Sequence, residues 1–334
     1  VTNGAGQRPF RPRPPRPVDL IRWPDGFGTR FAVFCDVEEE FDWSAPFSRA
    51  AQSTSAMAAF PAAYLRFASL GIPLTCMVDY PVATDPAAVD VLRRALADGR
   101  SAVGAQLHPW VTPPFDEPLS PANSYGGNLA PSLEAAKIDA LTSALTKAFG
   151  QEPLAFRAGR YGLGPSTIGL LRERGYRLDT SVRARYDYGA VGGPDFRVIG
   201  NAAYRWDGLI ELPFSTVFTG RLRQMGPWLH RAATQLPHGP GALARLGLAN
   251  RVSLTPEDMP IKEVLHAIEV AVAGGERLLT FSFHSPSLVP GHTPFVRDAA
   301  DLRRFWAWWD AVANRLDQLH VRAATLDEIL QAAA

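Results

Sequence analysis

The chain has 334 residues, 46% of them hydrophobic and 20% charged, with 29 Pro, 28 Gly and a formal net charge of +1. A chain of that length can bury a full core, and a charge so close to zero supplies no global field to gather nucleic acid or an anionic membrane surface. No apolar run approaches the roughly 20 residues of a spanning helix, so neither a membrane span nor a nucleic-acid partner is expected.

Residues 1–17 are rich in Pro and Arg and carry too little apolar surface to offset ordering, which predicts a disordered or surface-hugging tail ahead of one barrel domain over 18–334. The N-terminal stretch has no apolar segment of the signal-peptide kind, so the expected location is cytoplasmic. Short apolar or β-branched runs then predict strands at 31–38, 74–78, 102–108, 155–158, 176–182, 209–214, 278–284 and 320–325. Helical periodicity fills most of the intervals: 55–69, 86–98, 131–149, 164–174, 261–273 and 298–318. Gly71, Gly99, Gly150, Gly175 and Gly274 stand just past helix ends, where a positive φ is often required. Strand and helix alternating in this way predict parallel pairing, and seven or eight such units predict a closed barrel. The alternation fails over 183–208 and 215–260, which are expected to be long excursions across the barrel mouth. Cys35 and Cys76 lie inside apolar runs and are expected as buried core thiols.

Parallel barrels carry their chemistry at the C-terminal strand ends, where the loops converge. The sequence concentrates ionisable residues there: Asp36 and Glu38 after the first strand, Gln106 and His108 closing the third, Arg157 ending the fourth, Glu211 in the sixth and His284 ending the seventh. Alternation puts Asp36 and Glu38 on one face, and Gln106 and His108 on one face. Two carboxylates and an imidazole facing one cavity could bind a hard or borderline divalent ion. Val37, between the acids, is expected to face the barrel layer or helices, and Glu39 and Glu40 to be solvent-facing or helix-starting charges. His230, His238, His266 and His320 fall in loops or helical patterns and His292 in a turn, so none is assigned a role. Asp79 and Asp179 lie at or in strands from which either could reach the cavity. In the NSYGGNL loop, Asn123, Ser124, Tyr125 and Asn128 could donate to hydroxyl groups, or simply form a turn. Trp43, Trp206 and Trp228 could stack on a ligand or lie buried, and FWAWWD at 305–310 has the spacing of a helix packed on the barrel.

FCDVEEEFDW (34–43), VGAQLHPWVTPP (103–114), FRAGRYGLG (156–164) and TFSFHSPSL (280–288) occur in the order of the motifs of polysaccharide deacetylases. The chain resembles that NodB-homology family, carbohydrate esterase family four, over about residues 30–330. The HPWVTPP and FHSPSLVPGHTPF stretches are further similar to a branch labelled WalW-like. The resemblance implies a deformed (β/α)7-type barrel that removes N- or O-linked acetyl groups from carbohydrate with the help of a divalent metal, Zn²⁺ or similar. It implies Asp36 as general base, His284 as acid, Arg157 as the partner of Asp36, and the backbone near Tyr161 as oxyanion donor. Glu38 and His108 would be metal ligands with Gln106 as a weak third, and Trp110, Asn123, Tyr125 and Glu211 would meet the substrate.

Three departures from the family pattern stand out. Gln106 and Trp110 occupy the places of a histidine pair, with His108 between them; an Asp-Asp pair has become Asp-Val-Glu; and Ala158-Gly159-Arg160 replaces the proline of the Arg motif. Two good donors and an amide hold Zn²⁺ less well than the usual three or four. Three functions therefore stand side by side: a metal-assisted deacetylase, a catalytically inactive carbohydrate-binding barrel, and a metal-independent amidase on a small non-sugar substrate.

Overall fold

The computed structural model describes residues 9–334. In chain order it forms β1 (Arg30–Val37), α1 (Phe60–Ser69), β2 (Leu74–Val78), α2 (Tyr80–Thr84), α3 (Pro86–Ala95), β3 (Ala102–Leu107), α4 (Pro131–Phe149), β4 (Ala155–Ala158), α5 (Thr167–Glu173), β5 (Leu178–Asp179), β6 (Tyr204–Trp206) and β7 (Leu209–Glu211). There follow β8 (Thr216–Thr219), α6 (Gly226–Ala233), α7 (Gly239–Arg245), β9 (Asn250–Ser253), α8 (Ile261–Ala273), β10 (Leu278–His284), α9 (Ala299–Gln318), β11 (Arg322–Ala323) and α10 (Leu326–Ala332). Local chemistry sets many of these boundaries. Pro stands in the first turn of α1, α3 and α4, where no N–H is needed. Asp79, Asp85 and Asp298 cap α2, α3 and α9 through their side chains. Gly150 ends α4 in the left-handed conformation. Gly274, expected to play the same part after α8, stays right-handed, and the positive φ of 84° falls on Gly275.

The main sheet runs β10-β1-β2-β3-β4-β5-β7 in parallel, with β6 antiparallel on β7 as an edge and β11 beside the start of β1. It curls into a half-barrel. The closure expected from the alternation is not made by a backbone ladder, since β7 and β10 do not pair. Side chains bridge the gap instead: Ser215 N–H donates to Thr280 Oγ1 at 2.7 Å and Thr280 N–H donates to Ser215 Oγ at 2.9 Å. Three expected strands are shorter than their runs. Only Leu178–Asp179, Leu209–Glu211 and Arg322–Ala323 enter the ladder; Pro213, which has no N–H to donate, follows the second. The stretches 183–208 and 215–260 are not wholly irregular, for they contain β6 and the antiparallel pair β8–β9 with α6 and α7 between its strands.

Alternation along β1 divides the core. Phe31, Val33, Cys35 and Val37 pack with helix residues such as Phe67, Phe305 and Trp309, whereas Ala32 and Phe34 face inward with Met77, Ala155 and Ile210. Leu326, Ile329 and Leu330 of α10 join this inner set and plug the barrel at the start of β1. The inner face near the start of β1 is therefore mainly apolar, and the buried ionisable side chains inside the barrel gather toward the opposite end. Cys35 and Cys76 are buried free thiols. Of the Pro/Arg-rich stretch, residues 1–8 lie outside the described residues. From the remainder, Phe10 C=O accepts from Asp195 N–H at 2.8 Å and the Phe10 ring stacks on Trp206. No helix among the described residues is long and apolar enough to cross a membrane.

Candidate functional site

At the C-terminal end of β1 the inward parity continues past the ladder, bringing in Asp36 and then Glu38, both buried. Parallel register sets Asp36 opposite His284 of β10. Arg157, inward on β4 and only 1% exposed, crosses the barrel to donate from Nη1 to Asp36 Oδ1 at 2.6 Å and to Ser282 Oγ at 2.7 Å. The other oxygen of Asp36 lies 3.7 Å from His284 Nε2. His284 Nδ1 is held at 2.6 Å by Glu257 Oε2, and Glu257 Oε1 accepts from His284 N–H and from Ser287 Oγ–H. Burial alone would lower the His284 pKa, but the charges of Glu257 and Glu38, the Glu257 hydrogen bond and the charge of Asp36 outweigh it and push it up to about 10. The ring is thus an imidazolium at neutral pH.

A second imidazole stands beside this pair. His108 Nδ1 lies 2.8 Å from Glu39 Oε2, whose other oxygen accepts from Trp110 Nε1–H at 2.8 Å. With Nδ1–H donated to Glu39, the ring presents its Nε2 lone pair to the cavity. The Gln106 amide nitrogen bridges His108 Nε2, at 3.1 Å, and Glu38 Oε2, at 3.0 Å. Burial pushes Glu38 up to about 7, against the lowering influence of His284 and His108. Glu39, expected at the surface, is fully buried, and its pKa is raised to about 8, chiefly by burial. Its backbone N–H donates to Asp79 Oδ2 at 2.7 Å, and that Asp79 carboxyl is itself pushed well up by burial and by Glu39. Glu40, also expected in solvent, accepts from Ala56 N–H and the hydroxyls of Ser53 and Ser55 and lies 3.2 Å from His292 Nδ1.

These residues fit a divalent cation. Glu38 Oε2 and His108 Nε2 are 3.5 Å apart, a spacing two donors keep on one ion at bond lengths of about 2.0–2.2 Å. Glu38 Oε1 and Gln106 Oε1 are buried without a hydrogen-bond partner, and a cation would satisfy both the orphaned carboxylate oxygen and, with its amide turned over, that of Gln106. Glu39 behind His108 is the carboxylate that metal-binding histidines commonly use to fix their ring.

The assembly opens into a cavity of about 440 Å³ lined by nine Phe, Tyr and Trp side chains together with charged and polar ones. Asp36, Glu38, Gln106, His108, Trp110, Tyr125, Arg157, Tyr161 and His284 all contribute to its wall. Trp110 lies with its ring stacked on His108, the centroids 4.3 Å apart. Two residues expected to meet the substrate do not reach it. Asn123 folds back to donate to Pro118 C=O, so the turn is its role. Glu211 points to the opposite face of β7 from Ile210 and is fully buried, accepting from Val182 N–H beside Asp179. Asp179 goes with it. Asp79 caps α2, and Asn128 donates to the carbonyls of Ala122 and Gly192.

Glu257 and Arg183 are wall residues that carried no sequence signal. Glu257 sits in a TPED turn after β9, inside a stretch that shows no periodicity. Arg160, Arg183 and Trp43 also line the cavity. Trp43, from the loop after β1, is edge-on to His284 and Phe295, with centroids 5.2 and 5.4 Å away. Trp206 instead stacks with Tyr204 and Phe10, and Trp228 is 64% exposed on α6. Trp308 and Trp309 pack α9 on the barrel, as the helical spacing implies. The glycine within Ala158-Gly159-Arg160 has a steric reason: a Cβ there would lie 2.3 Å from His108 Cδ2.

No family model and no curated protein sequence matches the chain. Among solved structures it is similar to a "putative polysaccharide deacetylase" from Mycobacterium smegmatis, 18% identical, with a TM-score of 0.50 over 93% of this chain and 98% of that one. A chitin deacetylase from the fungal pathogen Colletotrichum lindemuthianum is 12% identical, with a TM-score of 0.42 over 92% of this chain and 88% of its own. A carbohydrate esterase family four pseudoenzyme from Bacillus anthracis is 8% identical, with a TM-score of 0.41 over 91% of this chain and 66% of its own. At such identities the likeness to the first is one of fold, a curled parallel half-barrel with helices outside.

Proposed function

We propose that the protein is a hydrolase that removes acetyl groups from a carbohydrate with the help of a divalent cation. The observation that carries this reading is the convergence of Asp36, gripped by Arg157, with His284, gripped by Glu257, across 3.7 Å in the wall of one cavity. A carboxylate base and a protonated imidazole within reach of each other are the two proton carriers that acyl hydrolysis needs.

In this reading Asp36 takes a proton from the attacking water while Arg157 holds the carboxylate in place. The water oxygen bonds to the acetyl carbon, and Tyr161, beside the cavity, offers its backbone N–H to the oxygen that becomes negative. His284 then gives its Nε2 proton to the departing nitrogen or oxygen as the C–N or C–O bond breaks, releasing acetate and an amine or alcohol. Glu38 and His108, with Gln106, would hold the cation, which when bound polarises the carbonyl and acidifies water. Trp110 and Tyr125 would form part of the wall that meets the sugar.

Acetate release from acetylated sugars should be lost in Asp36→Asn and in His284→Ala, with unfolding midpoints near that of the unaltered protein. Chelation should stop it and added Zn²⁺, Co²⁺ or Mn²⁺ should restore it. Full turnover in either variant would remove the reading, and turnover that survives chelation would favour a metal-independent amidase.

A further inference from the structure

Around the cavity, most cationic groups are already matched. Arg157 lies 2.6 Å from Asp36, His284 lies 2.6 Å from Glu257 and Arg183 lies 3.6 Å from Asp258. Arg160 has no carboxylate within 4.0 Å among the described residues. Its guanidinium is sandwiched between the rings of Phe47, 5.0 Å away, and Tyr125, 4.2 Å away, and donates only to the Ser124 hydroxyl and, at 3.4 Å, to Pro121 C=O. A full positive charge held between aromatic faces has lost much of its hydration and gained no counter-charge.

The backbone that carries it is unusual as well. Arg160 and Tyr161 both hold a positive φ, 57° and 59°, one after the other. Left-handed conformations at non-glycine residues carry strain and tend to persist where the surroundings need the side chain in one place. Here they present Arg160 to the cavity wall immediately beside Tyr161.

The cavity is also small and partly covered. The loop after β1 lays Phe41 edge-on to His108 and Trp110, and Trp43 edge-on to His284 and Phe295, so aromatic rings lie over both imidazoles. A volume of about 440 Å³ suits one small molecule.

We propose that the cavity takes a compact, single-ring acetylated substrate bearing one anionic group, a carboxylate or a phosphate, which pairs with Arg160. This rests on the acetyl-hydrolase reading for the chemistry but on separate residues for the recognition. An anion completing Arg160 would make charge-assisted hydrogen bonds in a partly dry site, where the absence of the charge leaves the guanidinium unmatched.

The test is calorimetric binding to full-length protein carrying His284→Gln, which blocks turnover and leaves the Asp36–Arg157 pair in place. The probes are N-acetylmuramic acid, N-acetylglucosamine 6-phosphate, neutral N-acetylglucosamine and chitohexaose. At least one anionic monosaccharide should bind tenfold or more tightly than the neutral one, and chitohexaose no better than the neutral monosaccharide; whichever anion wins names the source. Adding Arg160→Asn, a residue tolerated at left-handed φ, or Arg160→Met should bring the anionic and neutral sugars to within about twofold. Equal or absent binding of both anions, tighter binding of chitohexaose, or a preference that survives both Arg160 variants overturns the proposal. Acetate assays on the unaltered protein with the same sugars are read separately: selective binding without release would leave the recognition standing and remove the hydrolase reading.

Discussion

Glu257 Oε2 and His284 Nδ1 lie 2.6 Å apart, and the same carboxylate accepts from the His284 backbone N–H through its other oxygen. The ring is therefore fixed in position and in charge by one side chain. The raised pKa, about 10, means that the pair's contribution to stability is fully present below the unfolded-state value near 6.5 and is lost as pH rises through about 10.

Glu257→Gln should lower the His284 pKa toward its ordinary value. If His284 is the acid, the alkaline limb of the kcat/KM profile moves to lower pH and activity at pH 8 falls by about tenfold to a hundredfold. Ring titration by NMR gives the same pKa independently of turnover. At neutral pH the variant should also be less stable by about 2 kcal/mol, the penalty narrowing as pH rises through about 10. An unmoved alkaline limb together with an unmoved ring titration would show that Glu257 does not govern His284.

Glu39→Gln tests the carboxylate behind His108. A glutamine has one oxygen to serve both the imidazole Nδ1–H and the Trp110 indole N–H, so one donor loses its partner. The expected cost is about 1–3 kcal/mol of stability, by denaturant unfolding, together with a tenfold to hundredfold loss of divalent-metal affinity. A variant that binds Zn²⁺ as tightly as the unaltered protein would mean that His108 does not need Glu39 to hold its ring.

Gly159→Ala probes close approach. Its Cβ would lie 2.3 Å from His108 Cδ2 and 2.7 Å from the Leu107 carbonyl, so the ring or the end of β3 must move. Metal affinity and acetate release should both fall at least tenfold, since displacements of about 1 Å at a reacting site cost about a hundredfold. Gly169→Ala, on α5 with open space around its Cβ, is the control and should leave both unchanged.

The fold was largely legible because its elements are written locally. Helix α4 begins at Pro131 and ends at Gly150, and the run LLTFSFH is a strand from first residue to last. The two-residue periodicity of β1 also placed Asp36 and Glu38 on one face, and the motif order brought Gln106, His108, Arg157 and His284 toward one end. The limits are equally specific. Glu211 failed because short strands β5 and β7 present their carboxyls to the outer face, and nothing in a three-residue run fixes which face is inward. Glu39 looked like a surface charge because burial of a carboxylate depends on partners, here His108 and Trp110, that arrive from about 70 residues away.

The sequence by itself determined the repeating strand and helix, the parallel sheet and the strand ends at which ionisable residues collect, since these follow from spacing and propensity within a dozen residues. Tertiary structure alone decided that the barrel stays open between β7 and β10, that Glu257 and not a nearer acid holds His284, and that Arg160 is left without a counter-charge among the described residues. Each of these depends on long-range packing: a pKa, an ion pair or a closed cavity is a property of groups from distant segments sharing a region of low dielectric, and no local pattern encodes which groups will meet there.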